Sequence, residues 1–515
     1  MTVKLNLHDL VFILRQIKIA EAHASGTPLS ELIEDPRLPV GLRTVDGTYN
    51  NLVEGRETWG ASDQNLPRMF DPYYRNDADG DQFDPDGPGP APAVTNTNYG
   101  ATGSVADADP RLISNLIVDQ TPGNPAAISA ALTQTGYAGD PMAAVQTLHL
   151  AWNAFEAGTL TREQFDSLAG DYGLTMQGDS LVIPNTAPDE GLSAPFNAWM
   201  TFFGQFFDHG LDLIPKGGNG TVYIPLQPDD PLYVEGSHTN FMVMTRAQVD
   251  ANGETPNTTT PFVDQNQTYG SHASKQIFMR EYELVDGRPQ ATGHLLEGST
   301  GGLATWADVK AHAREMLGIV LTDKDIGAIP LIRSDPYGNF IPDANGFAQV
   351  IIGIGPDGIP NTADDIVVSG TPDAPVHLLL GLPGETGPDG AVVPVRTAHA
   401  FLDDIAHNAA PVLSGGNLVA DADSATGNAV TSVNGRNTQY DNELLDRHFI
   451  TGDGRGNENI GLTAVHHVFH SEHNRQVEAN KLEILKSGDV AFINEWLDVA
   501  ITQSEANALA GMSAA

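Results

Sequence analysis

Two long stretches interrupt every regular pattern in this chain. From about residue 71 to 125, and again from 353 to 395, Asp, Gly, Pro and Asn dominate, as in Asp77-Ala78-Asp79-Gly80-Asp81 and Asp84-Pro85-Asp86-Gly87-Pro88-Gly89-Pro90. Proline removes a backbone donor and Gly and Asp favour turns, so neither stretch can run as a long helix or a central strand. No repeat of 20–50 residues turns these breaks into a solenoid. Between them, helical spacing outweighs alternation. Residues 1–24 read as a helix with Leu10, Ile13, Leu14 and Ile17 on one face, and 125–157, 195–208, 305–317 and 459–486 read as helices too. Residues 25–60 read as loop, Val182-Ile183 as a strand end and 348–352 as a strand. The expected fold class is mainly α, with long Gly/Asp/Pro-rich loop insertions and a few short strands.

Charge narrows the partners. Acidic residues number 66 against 26 basic ones, a formal net charge of −40, so nucleic acid and anionic membrane surfaces would be repelled. Apolar residues make up 40% and charged ones 18% of the 515 positions, enough to bury a sizeable core. Cysteine is absent, which excludes disulfides, thiolate catalysis and Cys-ligated metals. No segment approaches the roughly 20 apolar residues of a membrane span. The run Leu10–Leu14, flanked by Asp9 and Arg15, is too short for a cleavable signal. An acidic, cysteine-free chain of this kind fits a bacterial cytoplasm or export through a C-terminal signal.

Several motifs carry chemistry on paper. Gly353-Ile354-Gly355-Pro356-Asp357-Gly358 matches G-x-G-x-x-G after an expected strand, but Pro360 and the polar run behind it cannot open a phosphate-binding helix. The loops Asp77/Asp79/Asp81/Asp84/Asp86 and Asp357/Asn361/Asp364/Asp365 gather hard oxygen donors of the type calcium takes, without the EF-hand register. A solvated acidic loop is the plainer reading of each. His466, His470 and His473 share one helix face, as zinc ligands would, yet His467 stands where H-E-x-x-H needs Glu. Separate polar contacts are the expectation there. Gln205, Asp208 and His209, at i, i+3 and i+4, lie on one side of a helix rich in Phe. A carboxylate and an imidazole inside so apolar an element are costly unless used or paired.

The run Phe203-Gly204-Gln205-Phe206-Phe207-Asp208-His209-Gly210-Leu211-Asp212 closely resembles the distal-helix motif of the animal haem peroxidases, within the peroxidase–cyclooxygenase superfamily. Three further blocks follow that family's order. Arg43-Thr44-Val45-Asp46-Gly47, Asn50-Asn51 and Gly60-Ala61-Ser62 resemble its N-terminal signature. Thr260-Pro261-Phe262-Val263-Asp264-Gln265-Asn266 with Tyr269-Gly270-Ser271 resembles its calcium loop. Gly452-Asp453-Gly454-Arg455-Gly456-Asn457-Glu458, then Leu462-Thr463 and Glu472-His473-Asn474-Arg475, resembles its distal-arginine segment. The long insertions resemble the bacterial, secreted branch.

The resemblance implies a helical haem-peroxidase-like domain over 43–515, after an N-terminal helix and lead-in at 1–42, with insertions at about 71–125 and 353–395. It implies haem b as cofactor, hydrogen peroxide as oxidant, and a halide or small organic molecule as electron donor. His209 becomes the distal base, Gln205 its polar neighbour and Arg455 the distal cation. Asp208 and Glu458 match carboxylates that can form esters with haem methyl groups. Thr260, Phe262 by its carbonyl, Asp264 and Asn266 match calcium (Ca2+) ligands, Asn266 standing where the family usually has Ser. Gly210 stands where it usually has a ligating Asp. Cyclooxygenase-type members lack the equivalents of Asp208, Arg455 and Glu458, so a lipid dioxygenase is the weaker enzymatic reading. A calcium-stabilised extracellular or adhesive module without catalysis is the alternative from another class. The family's proximal histidine lies well beyond the distal arginine, and no histidine follows His473 here. The expectation is therefore a domain truncated before its proximal helix, lacking a C-terminal segment and holding haem weakly when isolated. Export to the extracellular space is expected, with the cytoplasm as the second option.

Overall fold

A computed structural model describes residues 4–33, 43–48, 55–66, 74–76, 104–106, 121–182, 199–225, 234–238, 241–247, 254–403, 419–427, 432–433, 436–437, 439–497 and 499–511. The Asp77–Asp86 loop, Asn50-Asn51, Ile183 and the expected helix start around Ser193 and Pro195 lie outside these residues. The fold is mainly α, with strands that are short and paired two by two. Among the described residues no helix is long and apolar enough to cross a membrane.

The chain forms two compact units. One comprises Leu66–Asn197 and Pro215–Thr255. Its helices Pro125–Gln134, Pro141–Glu156 and Arg162–Asp171 are capped by the side chains of Asn124, Asp140 and Thr161, with proline at the first position of the first two. The single helix expected over 125–157 is thus two. Gly136, at φ +69°, opens the break and Asp140-Pro141 starts the next helix. Ile128, Leu132, Leu148, Trp152, Phe165 and Leu181 fill the interior.

The other unit comprises Met1–Asn65, Ala198–Ile214 and Pro256–Ala515. Its N-terminal helix, Leu7–Ala24, starts in a capping box of Asn6 with Asp9. This helix buries Leu10 against Ile484, Ile493 and Ala506. The main core gathers Phe278, Trp306, Leu317, Ile329, Val350, Phe401 and Leu445. The stretch 353–395, expected as loop, contributes to that core. Its strand Ile366–Ser369 pairs antiparallel with Gln349–Gly353, and Val376, Leu378 and Val392 are buried. Short apolar runs between the turn residues do this, and composition averaged over the stretch hides them.

Two helices of this unit carry the site. Trp199–Asp208 lies against Ile460–Lys486, with Phe206 and Leu462 fully buried between them. Phe206 stacks on Phe469 at 4.6 Å between ring centroids and meets the His466 ring edge-on at 4.8 Å. Gly461 permits the approach, since a Cβ there would fall 2.6 Å from the Phe202 ring.

Candidate active site

The Trp199–Asp208 helix ends just before His209, whose N–H still donates to the Gln205 carbonyl at 2.9 Å. His209 turns inward and is 6% exposed, whereas Asp208 stays exposed. Gln205 and His209 both face Glu458, whereas Asp208, about 100° round the helix from His209, leaves the side on which the three were expected together. Asp208 therefore carries no burial cost, and the buried carboxylate beside His209 is Asp453, 5% exposed.

Asp453 Oδ1 lies 3.7 Å from His209 Nδ1, and Glu458 Oε2 lies 3.6 Å from Nε2. Both distances exceed a hydrogen bond, and Nδ1 is buried without a hydrogen-bond partner. Gln205 donates to Glu458 Oε2 at 2.9 Å, while its own Oε1 accepts from Asn459 at 2.9 Å. Arg455 reaches the same place by another route. Its Nε and Nη2 donate to the Asp453 carboxylate at 3.0 and 2.7 Å, and Nη2 also reaches the carbonyls of His209 and Asp212, each at 2.9 Å. The guanidinium thus pins the backbone on both sides of Gly210-Leu211.

Electrostatics follow from this packing. Burial holds His209 below its ordinary pKa, and the Arg455 charge adds to that, against the opposing pull of Asp453, Glu458 and Asp208. Burial alone would raise Asp453, but the Arg455 hydrogen bond and charge keep it below the usual carboxylate range. His466, 2% exposed behind Phe206, is pushed down to about 4 by burial. Lys275, 3% exposed, is also lowered by burial.

Thr260, Phe262, Asp264, Asn266 and Gly210 come together in a second cluster, centred on the Asn266 side chain. The turn that holds it also holds the active-site segment, because the Gln267 carbonyl accepts the Asp453 N–H at 3.1 Å. The three helix-face histidines do not converge on one point. His470 Nε2 donates to the Leu296 carbonyl, and His473 Nε2 to the Gly293 carbonyl while Nδ1 accepts from the Tyr269 hydroxyl, each at 3.0 Å. In the 354–365 loop, Asn361 turns away to the backbone of Ser334. Asp357 and Asp365 accept N–H groups of their own loop. The glycine motif there joins two antiparallel strands and opens no helix. Among the described residues, Asp421, Asp441 and Glu443 bring ligand oxygens within 4.8 Å of one another, with Asp441 already accepting N–H groups from Leu444 and Gly427.

Sequence reasoning quoted Asp453 within a motif but gave it no role, and it passed over Asn459 and Gln267. A local signal existed for Asp453. In Asp-Gly-Arg the carboxylate accepts the N–H two residues on, here Arg455 N to Asp453 Oδ1 at 2.8 Å.

The end of one helix and the loop leading into its packing partner bring a buried imidazole among carboxylates and an arginine, groups able to exchange a proton. A family model described as animal haem peroxidase matches residues 180–301 and 410–487. These segments carry both the His209 helix and the Arg455 loop, and over them the chain is similar to the animal haem peroxidase family. Residues 302–409 and the Arg43–Ser62 blocks lie outside the match. No curated protein and no solved structure matches the chain. This match points to a haem peroxidase-like function within the peroxidase–cyclooxygenase class.

Proposed function

We propose that the chain is a haem-dependent peroxidase that reduces hydrogen peroxide with electrons from a halide or a small organic donor, and that His209 moves the proton. The state of His209 supports this most. It is a buried imidazole held below its ordinary pKa, with one nitrogen unpartnered, among carboxylates and a guanidinium. Bound haem would supply the redox-active iron at which the O–O bond is reduced. Asp208, exposed, and Glu458, with 26% of its side chain exposed, are both open to such a group and match its ester-forming carboxylates.

Protons and charge fall to the chain's own residues. Asp453 near Nδ1 and Glu458 near Nε2 flank the His209 ring, and its lowered pKa leaves one ring nitrogen with a free lone pair to accept a proton from peroxide at neutral pH. Returned to the departing oxygen, the same proton completes water. Gln205, gripped at both ends, keeps Glu458 on the Nε2 side. Arg455 positions the His209 carbonyl, and its charge opposes protonation of the ring.

Hemin titration into the purified 515-residue chain, with free imidazole present as an axial donor, tests the reading. A saturable Soret shift is expected, with peroxide-dependent oxidation of a phenolic dye that His209→Ala removes. Turnover no faster than the same mixture without protein, and indifferent to the substitution, would overturn it.

A further inference from the structure

The residues that match a calcium set close around an amide nitrogen. Thr260 is fully buried and Asn266 is 2% exposed. Asn266 Nδ2 donates to the Gly210 carbonyl at 2.7 Å, the Thr260 carbonyl at 2.9 Å and the Thr260 hydroxyl oxygen at 3.0 Å. That hydroxyl spends its own proton on Asp264 Oδ2 at 2.8 Å, while Asp264 Oδ1 accepts the Asn266 N–H at 3.1 Å. The Phe262 carbonyl accepts the Asp264 N–H at 2.8 Å. The Gly210, Thr260 and Phe262 carbonyls, the Thr260 hydroxyl and both Asp264 oxygens therefore already have a protein donor.

Charge agrees with geometry. Calcium sites draw several oxygens and usually more than one carboxylate around the ion. Asp264 is the only carboxylate of this set, and Arg43 Nε stands 2.6 Å from its Oδ2. At Gly210, where a second carboxylate would be needed, a Cβ would fall 2.8 Å from Gln267 Oε1, so the buried side chain of Gln267 fills that room. Asn266, Gln267 and the Arg43–Asp264 pair make a cage that is close to neutral as it stands.

We infer that the Asn266 amide takes the place of a cation here, so the turn joining Gly210 to Asp453 keeps its shape without metal. The donor identity is forced by the neighbours. All three atoms facing Nδ2 are acceptors, and an oxygen in its place would repel them unless a cation sat between. The inference is independent of the peroxidase reading, because it is read from metal content and stability.

The test compares melting of the 515-residue chain after EDTA dialysis with melting in millimolar calcium chloride, alongside elemental analysis. The parent protein should melt at the same temperature in both and retain no stoichiometric calcium. Asn266→Asp, which puts an oxygen where the amide nitrogen stands, should melt lower in EDTA and recover in calcium. A parent protein that loses melting temperature on chelation, or that keeps one calcium per chain, would overturn the inference even if the variant fails to fold. So would an N266D protein that melts in EDTA as high as its parent.

Discussion

The helices between residues 125 and 171 and the segment around His209 bury their interiors by opposite means. The first packs Ile128, Leu132, Leu148, Trp152 and Phe165, and among the described residues no charged side chain between 125 and 171 is buried. The second places His209, Asp453, His466 and Lys275 at 2–6% exposure, beside Phe206 and Leu462. Burying ionisable groups costs several kcal/mol each unless they are paired, and an apolar cluster of the same volume would be at least as stable. Stability alone accounts for the first interior. The second is arranged at the expense of stability, and chemistry is the reason the geometry supports.

The largest expected effect is His209→Ala in the haem-loaded protein. Peroxide-dependent turnover should fall by about 10²–10⁴-fold, the usual loss on removing a general base. Melting temperature should hardly move, since the substitution also relieves a desolvated ring. Steady-state kinetics beside a thermal melt measure both; a large loss of stability with turnover intact would erase the contrast between the two interiors.

Asp453→Ala comes next. It leaves Arg455 without its carboxylate in a largely buried setting, and breaking such a pair costs about 3–5 kcal/mol. It also removes the acceptor of the Arg455 N–H within the turn, while the backbone bond from Asp453 to Gln267 stays. Urea unfolding should show the loss, and turnover should drop with it. Leu148→Ala is the counterpart in the apolar interior, where Leu148 is 1% exposed. A loss of about 2–5 kcal/mol is expected there, with turnover per folded molecule unchanged. Lost turnover in a folded Leu148→Ala protein would show that the two interiors are not separate in function.

Legibility in the sequence follows the same line. Apolar periodicity placed the helices at 306–317 and 460–486 to within a residue or two, because burying one stripe is a local, repeating demand, but it ran across the break that makes two helices of 125–134 and 141–156. The motif brought Gln205, His209, Arg455 and Glu458 to one place, and they meet. Asp208 is exposed where Gln205 and His209 face Glu458, because i+3 and i+4 positions diverge by about 100° around a helix and spacing alone does not say which is buried. Asp453 and Gln267 were missed because their partners lie far along the chain and no periodicity marks a buried polar group. Asn266 was read as a substituted ligand, since sequence shows which residue is present but not which of its two amide atoms faces inward.

The smallest effect is a pH dependence carried by His466. Its pKa is lowered from 6.5 to about 4 in the folded protein, by burial first and then by the nearby His209, Lys275 and Arg455 charges against the pull of Asp453. Between those two values the unfolded chain binds a proton that the folded chain does not, so stability falls as pH drops. The contribution is fully present above pH 6.5 and declines toward pH 4, with a slope of at most about 1.4 kcal/mol per pH unit for one group. Asp453, held below the usual carboxylate range, is ionised in the folded chain and adds slope of the same sign only toward pH 4, where the unfolded carboxylate begins to take up a proton. Urea unfolding at pH 7 and pH 5 should therefore show a loss in the parent protein that His466→Gln reduces. Leu148→Ala should shift both curves down without changing the difference between them. If His466→Gln leaves the pH dependence intact, the acid sensitivity belongs to other groups, and the polar interior is less strained than its burial implies.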